Sequence, residues 1–270
     1  MKREEKTARF RAMHQERRAF VIPNPWDLGT ARIFAHQGFE ALATTSAGLA
    51  FAKGRVDQMV GRDEALEHAA EIAGAMDLPV SGDFENGFGN APATVADTVR
   101  LAAEAGLAGL SIEDVATGGG AYPFETAVER IGTAMEAARS VDIVLCARAD
   151  GVMTRDYDVD EAERRVRAYA DLGVDCIYAP RLPDLQTIRR FATIAPLNVL
   201  MGFGPSLSVG ELREAGVGRI SLGSAPARAA YGAVFEAGRQ IMEDETFAPL
   251  ETAPGRGAFD AAFIRPERSS

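Results

Sequence analysis

Short apolar runs alternate along the chain with longer segments in which apolar residues recur every three to four positions. The runs at 20–23 (FVIP), 41–46 (ALATTS), 79–85 (PVSGDFE), 108–114 (AGLSIED), 142–150 (DIVLCARAD), 175–180 (DCIYAP), 197–202 (LNVLMG) and 219–223 (RISLG) read as strands. The segments near 27–38, 61–76, 92–105, 125–138, 158–172, 183–194, 208–215 and 225–242 read as helices. Several of these helices run into a glycine just before the next strand, at Gly38, Gly106, Gly173 and Gly216, as expected where a helix ends in a left-handed turn. Residues 1–19 read as a further helix with a solvated face, and 243–270 as a C-terminal tail.

Strands alternating with helices imply a parallel sheet covered by helices. The pattern repeats eight times without a break in composition, so residues 1–270 are expected to form one α/β domain, a (β/α)8 TIM barrel. An open doubly wound sheet is the second choice. It would favour a glycine-rich turn after the first strand, and PNPWDLG is not one.

Charge narrows the partners. The formal net charge is −10, which argues against nucleic acid and anionic membrane surfaces. No apolar run reaches membrane-spanning length and the N-terminus has no apolar signal core, so a cytoplasmic protein is expected. The two cysteines, Cys146 and Cys176, are too few for a disulfide framework or a thiolate zinc site. With only three histidines and three lysines in the chain, carboxylates and arginines must carry most of any chemistry.

In such a barrel, reactive groups sit at the C-terminal ends of the strands. Ser46, Asp83 and Glu85, Glu113 and Asp114, and Arg148 and Asp150 all fall at those ends. In an extended strand Asp83 and Glu85 would share a face. With Glu113 they would repel unless a cation lay between them, and oxygen ligands suit Mg²⁺ or Mn²⁺. Arg148 would either brace these carboxylates or bind a substrate carboxylate or phosphonate. Ser46 with the backbone N–H groups of Ala47 and Gly48 could hold an anion. Residues 47–60 are long for a connection and could form a closing lid carrying Lys53, Arg55 and Asp57. Asn198 is a candidate for a substrate hydrogen bond, Trp26 and Cys146 read as packing, and Asp114 as capping a loop or facing a helix. The loop at 117–123 (TGGGAYP) reads as flexible, and the turns GFGP and LGSAPAR as weak anion-site candidates.

TTSAG at 44–48, DFENGFG at 83–89, SIED at 111–114 and ARAD at 147–150 together resemble the isocitrate lyase/phosphoenolpyruvate mutase superfamily, in its phosphonomutase-like branch related to 2-methylisocitrate lyase. The resemblance implies a (β/α)8 barrel whose eighth helix is exchanged between subunits of a homodimer or homotetramer. It implies Mg²⁺ held directly by Asp83, with Glu85 and Glu113 acting largely through waters. It places the substrate on Ser46, Ala47, Gly48 and Arg148, and a loop aspartate, here Asp57, over it. The expected activity is cleavage of a C–C bond in a small 2-oxo- or 2-hydroxy-dicarboxylate, by a lyase or decarboxylase passing through a pyruvate-like enolate. The alternative is C–P chemistry of the phosphonomutase or phosphonopyruvate hydrolase kind, and a remoter one is a non-catalytic barrel that binds small acids. A Schiff-base aldolase would need a lysine in the barrel, and the only mid-chain lysine is Lys53. Isocitrate and methylisocitrate lyases carry a Lys-[Lys/Arg]-Cys-Gly-His loop after the fourth strand, for which TGGGAYP has neither cysteine nor histidine. After the sixth strand, where relatives place a glutamate or histidine, the chain has Ala179 and Pro180, with Arg181 as a possible anion binder.

Overall fold

Each apolar run forms a strand in the computed structural model, which describes residues 1–203 and 206–264. The strands are β1 (Phe20–Ile22), β2 (Leu42–Ala43), β3 (Val80–Asp83), β4 (Gly109–Glu113), β5 (Val144–Arg148), β6 (Cys176–Tyr178), β7 (Leu197–Leu200) and β8 (Arg219–Ser221). All paired neighbours are parallel, in the order β1-β8-β7-β6-β5-β4-β3-β2. The remaining gap, between β1 and β2, is bridged by the Ala43 N–H donating to the Pro23 carbonyl at 3.0 Å. Buried Asn24 clips the same seam: its Nδ2 donates to the Thr44 carbonyl (3.0 Å), and its Oδ1 accepts from the N–H groups of Leu222 and Gly223 (2.9 and 2.8 Å). The result is a nearly closed (β/α)8 barrel.

The helices between strands bury one apolar face against the outside of the sheet, as in Phe124–Val141, where Ala127, Ile131, Ala134 and Ala138 face inward. The four glycines singled out in the sequence do end their helices in the left-handed region, at φ of 81° to 89°. Inside the barrel, the bottom is plugged by Phe10 and Met13 of the helix Arg3–Gln15, packed on Phe20, Ile22, Ala41, Ala43, Ala108 and Val144. Higher up, the interior turns polar, with Ser81, Ser111, Asn198, Arg219 and Ser221 buried.

Some elements differ from expectation. The strands are shorter than the apolar runs, and Ser46–Ala52 is a helix rather than part of a long loop. Thr45 caps it by accepting from the Gly48 N–H, so the polar cluster TTS nucleates a helix there. The expected tail contains two short helices, Ala248–Glu251 and Arg256–Phe263; the latter packs back on Leu28–His36. Gly204 and Pro205 of the GFGP turn, and residues 265–270, lie outside the described residues. The last long helix, Ala225–Glu243, rests its first turns on Trp26 and Phe51 through Tyr231, but leaves Val234, Phe235 and Met242 exposed. No described helix is long and apolar enough to cross a membrane.

Candidate active site

The C-terminal mouth is organised around Asp83, the last residue of β3. Its Oδ2 accepts from the Ser46 N–H and hydroxyl at 3.0 and 2.9 Å. Its Oδ1 accepts from Arg148 Nη1 at 2.8 Å and lies 3.4 Å from the Ser111 hydroxyl. Thr44 fixes the backbone by accepting from the Asp83 N–H at 2.9 Å. Thus the exits of β2, β3, β4 and β5 are tied to one carboxylate.

Arg148 is largely buried and contacts three carboxylates. Besides Asp83, its Nη2 stands 3.0 Å from Glu113, and its Nε and Nη2 donate to the two oxygens of Asp150 at 3.1 and 2.6 Å. Asp150 follows Arg148 by two residues, and the fork-to-fork contact fixes the plane of the guanidinium. The bracing reading of Arg148 is therefore realised in this structure.

Asp83 and Glu85 do not share a strand face, contrary to expectation. β3 ends at Asp83, Phe84 is buried, and Glu85 adopts a left-handed backbone with φ 47°. The two carboxylates converge through a turn rather than through the pleat. A non-glycine residue held there is strained, and such strain collects at functional sites. Burial, then Asp83 and Asp57, push the Glu85 carboxyl up to about 7. Burial likewise raises Glu113 well above the usual range; Arg148 opposes this, and Asp150, Asp83 and Glu85 add to it.

Asp57 lies on the loop after Ser46–Ala52. The residue is exposed overall, yet it lines the same cavity as Asp83, and its pKa is raised by partial burial and then by Asp83. The candidate lid shrinks to the stretch between Ala52 and Arg62, pinned at its base by Lys53 and Arg55 on Glu64 at 2.9 and 2.7 Å.

Of the two backbone donors anticipated beside Ser46, only one is free among the described residues. Ser46 donates to Asp83 and Gly48 to Thr45, whereas the Ala47 N–H meets no protein acceptor among the described residues. Gly48 is needed for another reason: a Cβ there would come within 3.0 Å of Trp26 Cβ and closer still to Thr45. Asn198 is also reassigned. It is fully buried, with Nδ2 donating to the Ser221 hydroxyl (2.9 Å) and Oδ1 accepting from Arg219 (2.8 Å), so it positions neighbours rather than facing the cavity.

Ser46, Ala47, Asp57, Asp83 and Arg148 share a cavity of about 210 Å³ on the barrel axis. Glu85 and Glu113 line a second, more open cavity of about 770 Å³ beside it. Among the described residues, no trio of acidic, histidine or cysteine side chains converges closely enough to ligate one ion directly. The carboxylates are therefore not a preformed three-ligand cage. They still fit a hydrated divalent cation: Asp57, Asp83, Glu85, Glu113 and Asp150 gather about one guanidinium, and burial first, then the neighbouring carboxylates, push Glu85 and Glu113 toward protonation, which a cation would offset. Mg²⁺ characteristically keeps several waters and takes only one or two carboxylates.

Asp114 stands apart from this cluster, turned toward the helix Val159–Asp171. It accepts from the Asp150 N–H and from Tyr157, Arg165 and Tyr169, and so anchors β4 and β5 to their covering helix. The loop at 117–123 is tied at Tyr122, whose hydroxyl donates to Asn90 (2.6 Å) and accepts from Asn86 (3.1 Å). Sequence reasoning missed the bidentate hold of Asp150 on Arg148. The available signal was the spacing Arg-Ala-Asp at the strand exit, where Arg148 ends β5 and Asp150 opens the short helix Gly151–Thr154.

Comparison with known proteins agrees with this geometry. The profile of the phosphoenolpyruvate phosphomutase family matches residues 10–242. The 2-methylisocitrate lyase of Salmonella typhimurium is 30% identical over 223 residues, 77% of this chain and 75% of that protein. A solved lyase/mutase candidate from Burkholderia cenocepacia superposes with a TM-score of 0.93 at 46% identity, covering 98% of this chain and 97% of its own. A solved 2,3-dimethylmalate lyase superposes with a TM-score of 0.82 at 27% identity, covering 96% and 94%. With its barrel, its mouth of carboxylates and these likenesses together, the chain belongs to the phosphoenolpyruvate phosphomutase family, within the phosphoenolpyruvate mutase/isocitrate lyase superfamily of lyases and mutases.

Proposed function

We propose that the protein is a Mg²⁺-dependent lyase that cleaves a C–C bond in a small 2-oxo- or 2-hydroxy-dicarboxylate through a pyruvate-like enolate. The observation that carries this reading is the excess of carboxylates at the mouth around a single guanidinium. Asp83 would hold the ion, with Glu85 and Glu113 steadying its waters from the adjoining cavity. Bound there, Mg²⁺ or Mn²⁺ would supply Lewis-acid polarisation of the keto oxygen and carboxylate. The protein's groups do the rest. Arg148 stands where the substrate carboxylate or the developing enolate can exchange with Asp83 as its partner. The Ala47 N–H is a free donor at the start of a helix, suited to a carboxylate oxygen. Asp57, its pKa raised, can carry a proton to or from the reacting carbon when its loop closes.

Two features favour C–C over C–P chemistry among known relatives: the likeness to 2-methylisocitrate lyase and to 2,3-dimethylmalate lyase. TGGGAYP lacks the cysteine and histidine of the lyase loop, so the substrate differs from isocitrate and methylisocitrate. The exposed apolar stripe of Ala225–Glu243 supports a homodimer or homotetramer in which this helix docks on a neighbouring barrel.

The test is a panel of 2-oxo acids, 2-hydroxy diacids and phosphonates, each with Mg²⁺ or with EDTA. Release of pyruvate or glyoxylate from a diacid, in Mg²⁺ alone, is expected. Phosphate from phosphonopyruvate would shift the assignment to C–P cleavage, and metal-independent ligand binding without turnover would leave a binding barrel.

A further inference from the structure

Arg219 opens β8 deep inside the barrel, with only 4% of its surface exposed. Three contacts engage its guanidinium: Nε donates to Asn198 Oδ1 (2.8 Å), Nη2 to the Cys146 sulfur (3.2 Å), and Nη1 lies 3.4 Å from His14 Nε2. His14 is neutral: burial and then Arg219 lower its pKa to about 3, and its Nδ1 faces the Phe10 carbonyl. None of these partners is a carboxylate, and no ion pair to Arg219 exists among the described residues. A guanidinium carries five N–H donors, so two are left over. Burying such a charge without a counter-charge is costly.

Arg219 nevertheless lines the axial cavity that opens at Ser46 and Arg148. Between floor and mouth the wall carries the hydroxyls of Ser81, Ser111, Ser221 and Tyr178. The cavity is therefore a well, with Asp57, Asp83, Arg148 and Arg181 of mixed charge in its lining and, at Arg219, a cation with hydroxyl donors above it. We infer that Arg219 floors an anion well beneath the active site that takes a single carboxylate group. The same chemistry is offered by the far end of a diacid substrate or by a free small carboxylate. In the first case the well selects the substrate's length, an inference that rests on the enolate site proposed above.

Asn198→Asp tests this without emptying the core. It places a carboxylate beside Nε of Arg219, and the Ser221 hydroxyl can turn to donate to it. Calorimetry on the Mg²⁺-loaded protein would compare malate with oxalate, which is two carbons shorter, and would titrate formate in the presence of oxalate. The substrate-borne arm predicts that Asn198→Asp weakens malate about tenfold or more while oxalate is unchanged. The free-anion arm predicts saturable formate binding in the native protein that the variant abolishes. Arg219→Gln should repeat whichever loss is seen, while Asn198→Asp, having supplied the missing charge, should melt no lower than the native protein. Unchanged malate and formate binding in both variants would overturn the inference. So would thiolate ultraviolet absorbance at neutral pH that disappears in Cys146→Ser, since the counter-charge would then be the sulfur. Absence of oxalate binding in the native protein would count against the metal site, not the well, provided formate still binds.

Discussion

Arg148 acts in this structure as the cation of a site crowded with acids, and that sets how its substitutions should behave. An ammonium cannot span Asp83, Glu113 and Asp150 as a planar fork does. Arg148→Lys should lower kcat/KM by roughly tenfold or more, from a charged hydrogen bond of about 1.5–3 kcal/mol; near-native kinetics would reduce Arg148 to a brace. Asp83→Ala should abolish Mg²⁺ binding. Relief of crowding alone would make that variant as stable as the native protein, but Asp83 also satisfies the Ser46 N–H and one arm of Arg148. A loss of about 1–3 kcal/mol in metal-free stability is expected, as for a buried donor left without an acceptor, and chemical denaturation would measure it. The pH dependence follows from Glu85, whose carboxyl is pushed up to about 7 from 4.5. Between those values the folded protein holds the proton more tightly than the unfolded chain, so metal-free stability should fall as pH rises through this window. If Mg²⁺ binds as proposed it would displace that proton, so its affinity should rise with pH and level off above about 7. Melting temperatures with EDTA and with Mg²⁺ should diverge as pH rises, and parallel curves would remove Glu85 from the metal shell. At this scale the sequence showed which acids and which arginine meet at the mouth, because strand exits are marked by polar residues after apolar runs. It did not show their partners: Arg148 to Asp150 and Asn198 to Arg219 depend on rotamers and register that a linear pattern does not carry.

Among the elements, the segment after β2 departs most from expectation. Apolar periodicity over AGLAFA is too short to separate a helix from a loop, and the Thr45 cap decided for the helix. Only the stretch between Ala52 and Arg62 is left to move, anchored at Glu64. If it closes over the site, Asp57→Ala should lower kcat strongly and leave Mg²⁺ affinity within about twofold, because the carboxylates proposed to hold the metal stand on strand ends and the following turn. Amide exchange in this stretch should slow when Mg²⁺ and oxalate are added together. Exchange that ignores both, combined with an active Asp57→Ala enzyme, would make it an ordinary surface loop. The order of the eight strands and of their covering helices was legible because each βα repeat restates the same period, whereas the short helices Ser46–Ala52, Ala248–Glu251 and Arg256–Phe263 were not. The strand-pleat argument for Glu85 failed because DFENGFG turns early, with Glu85, Gly87 and Phe88 all at positive φ.

For the whole molecule, the proposed homo-oligomer rests on one exposed apolar stripe. Phe235 is 81% exposed and Met242 82% on a helix that meets its own barrel at Tyr231. Phe235→Asp should shift the species seen by sedimentation toward the monomer, whereas a native protein that sediments as a monomer would leave that stripe unexplained. The barrel and its helices could be read from the sequence, but this exposure could not, since an apolar stripe looks the same whether its own barrel or a neighbour covers it.

The most direct measurement is calorimetric titration of oxalate into the native protein and into Asp83→Ala, each with Mg²⁺ and with EDTA. Oxalate presents the two coplanar oxygens of an enolpyruvate. Saturable binding by the native protein in Mg²⁺ only is expected, and none by Asp83→Ala under either condition. Equal binding with EDTA, or native-like binding by Asp83→Ala, would contradict a divalent cation at this mouth.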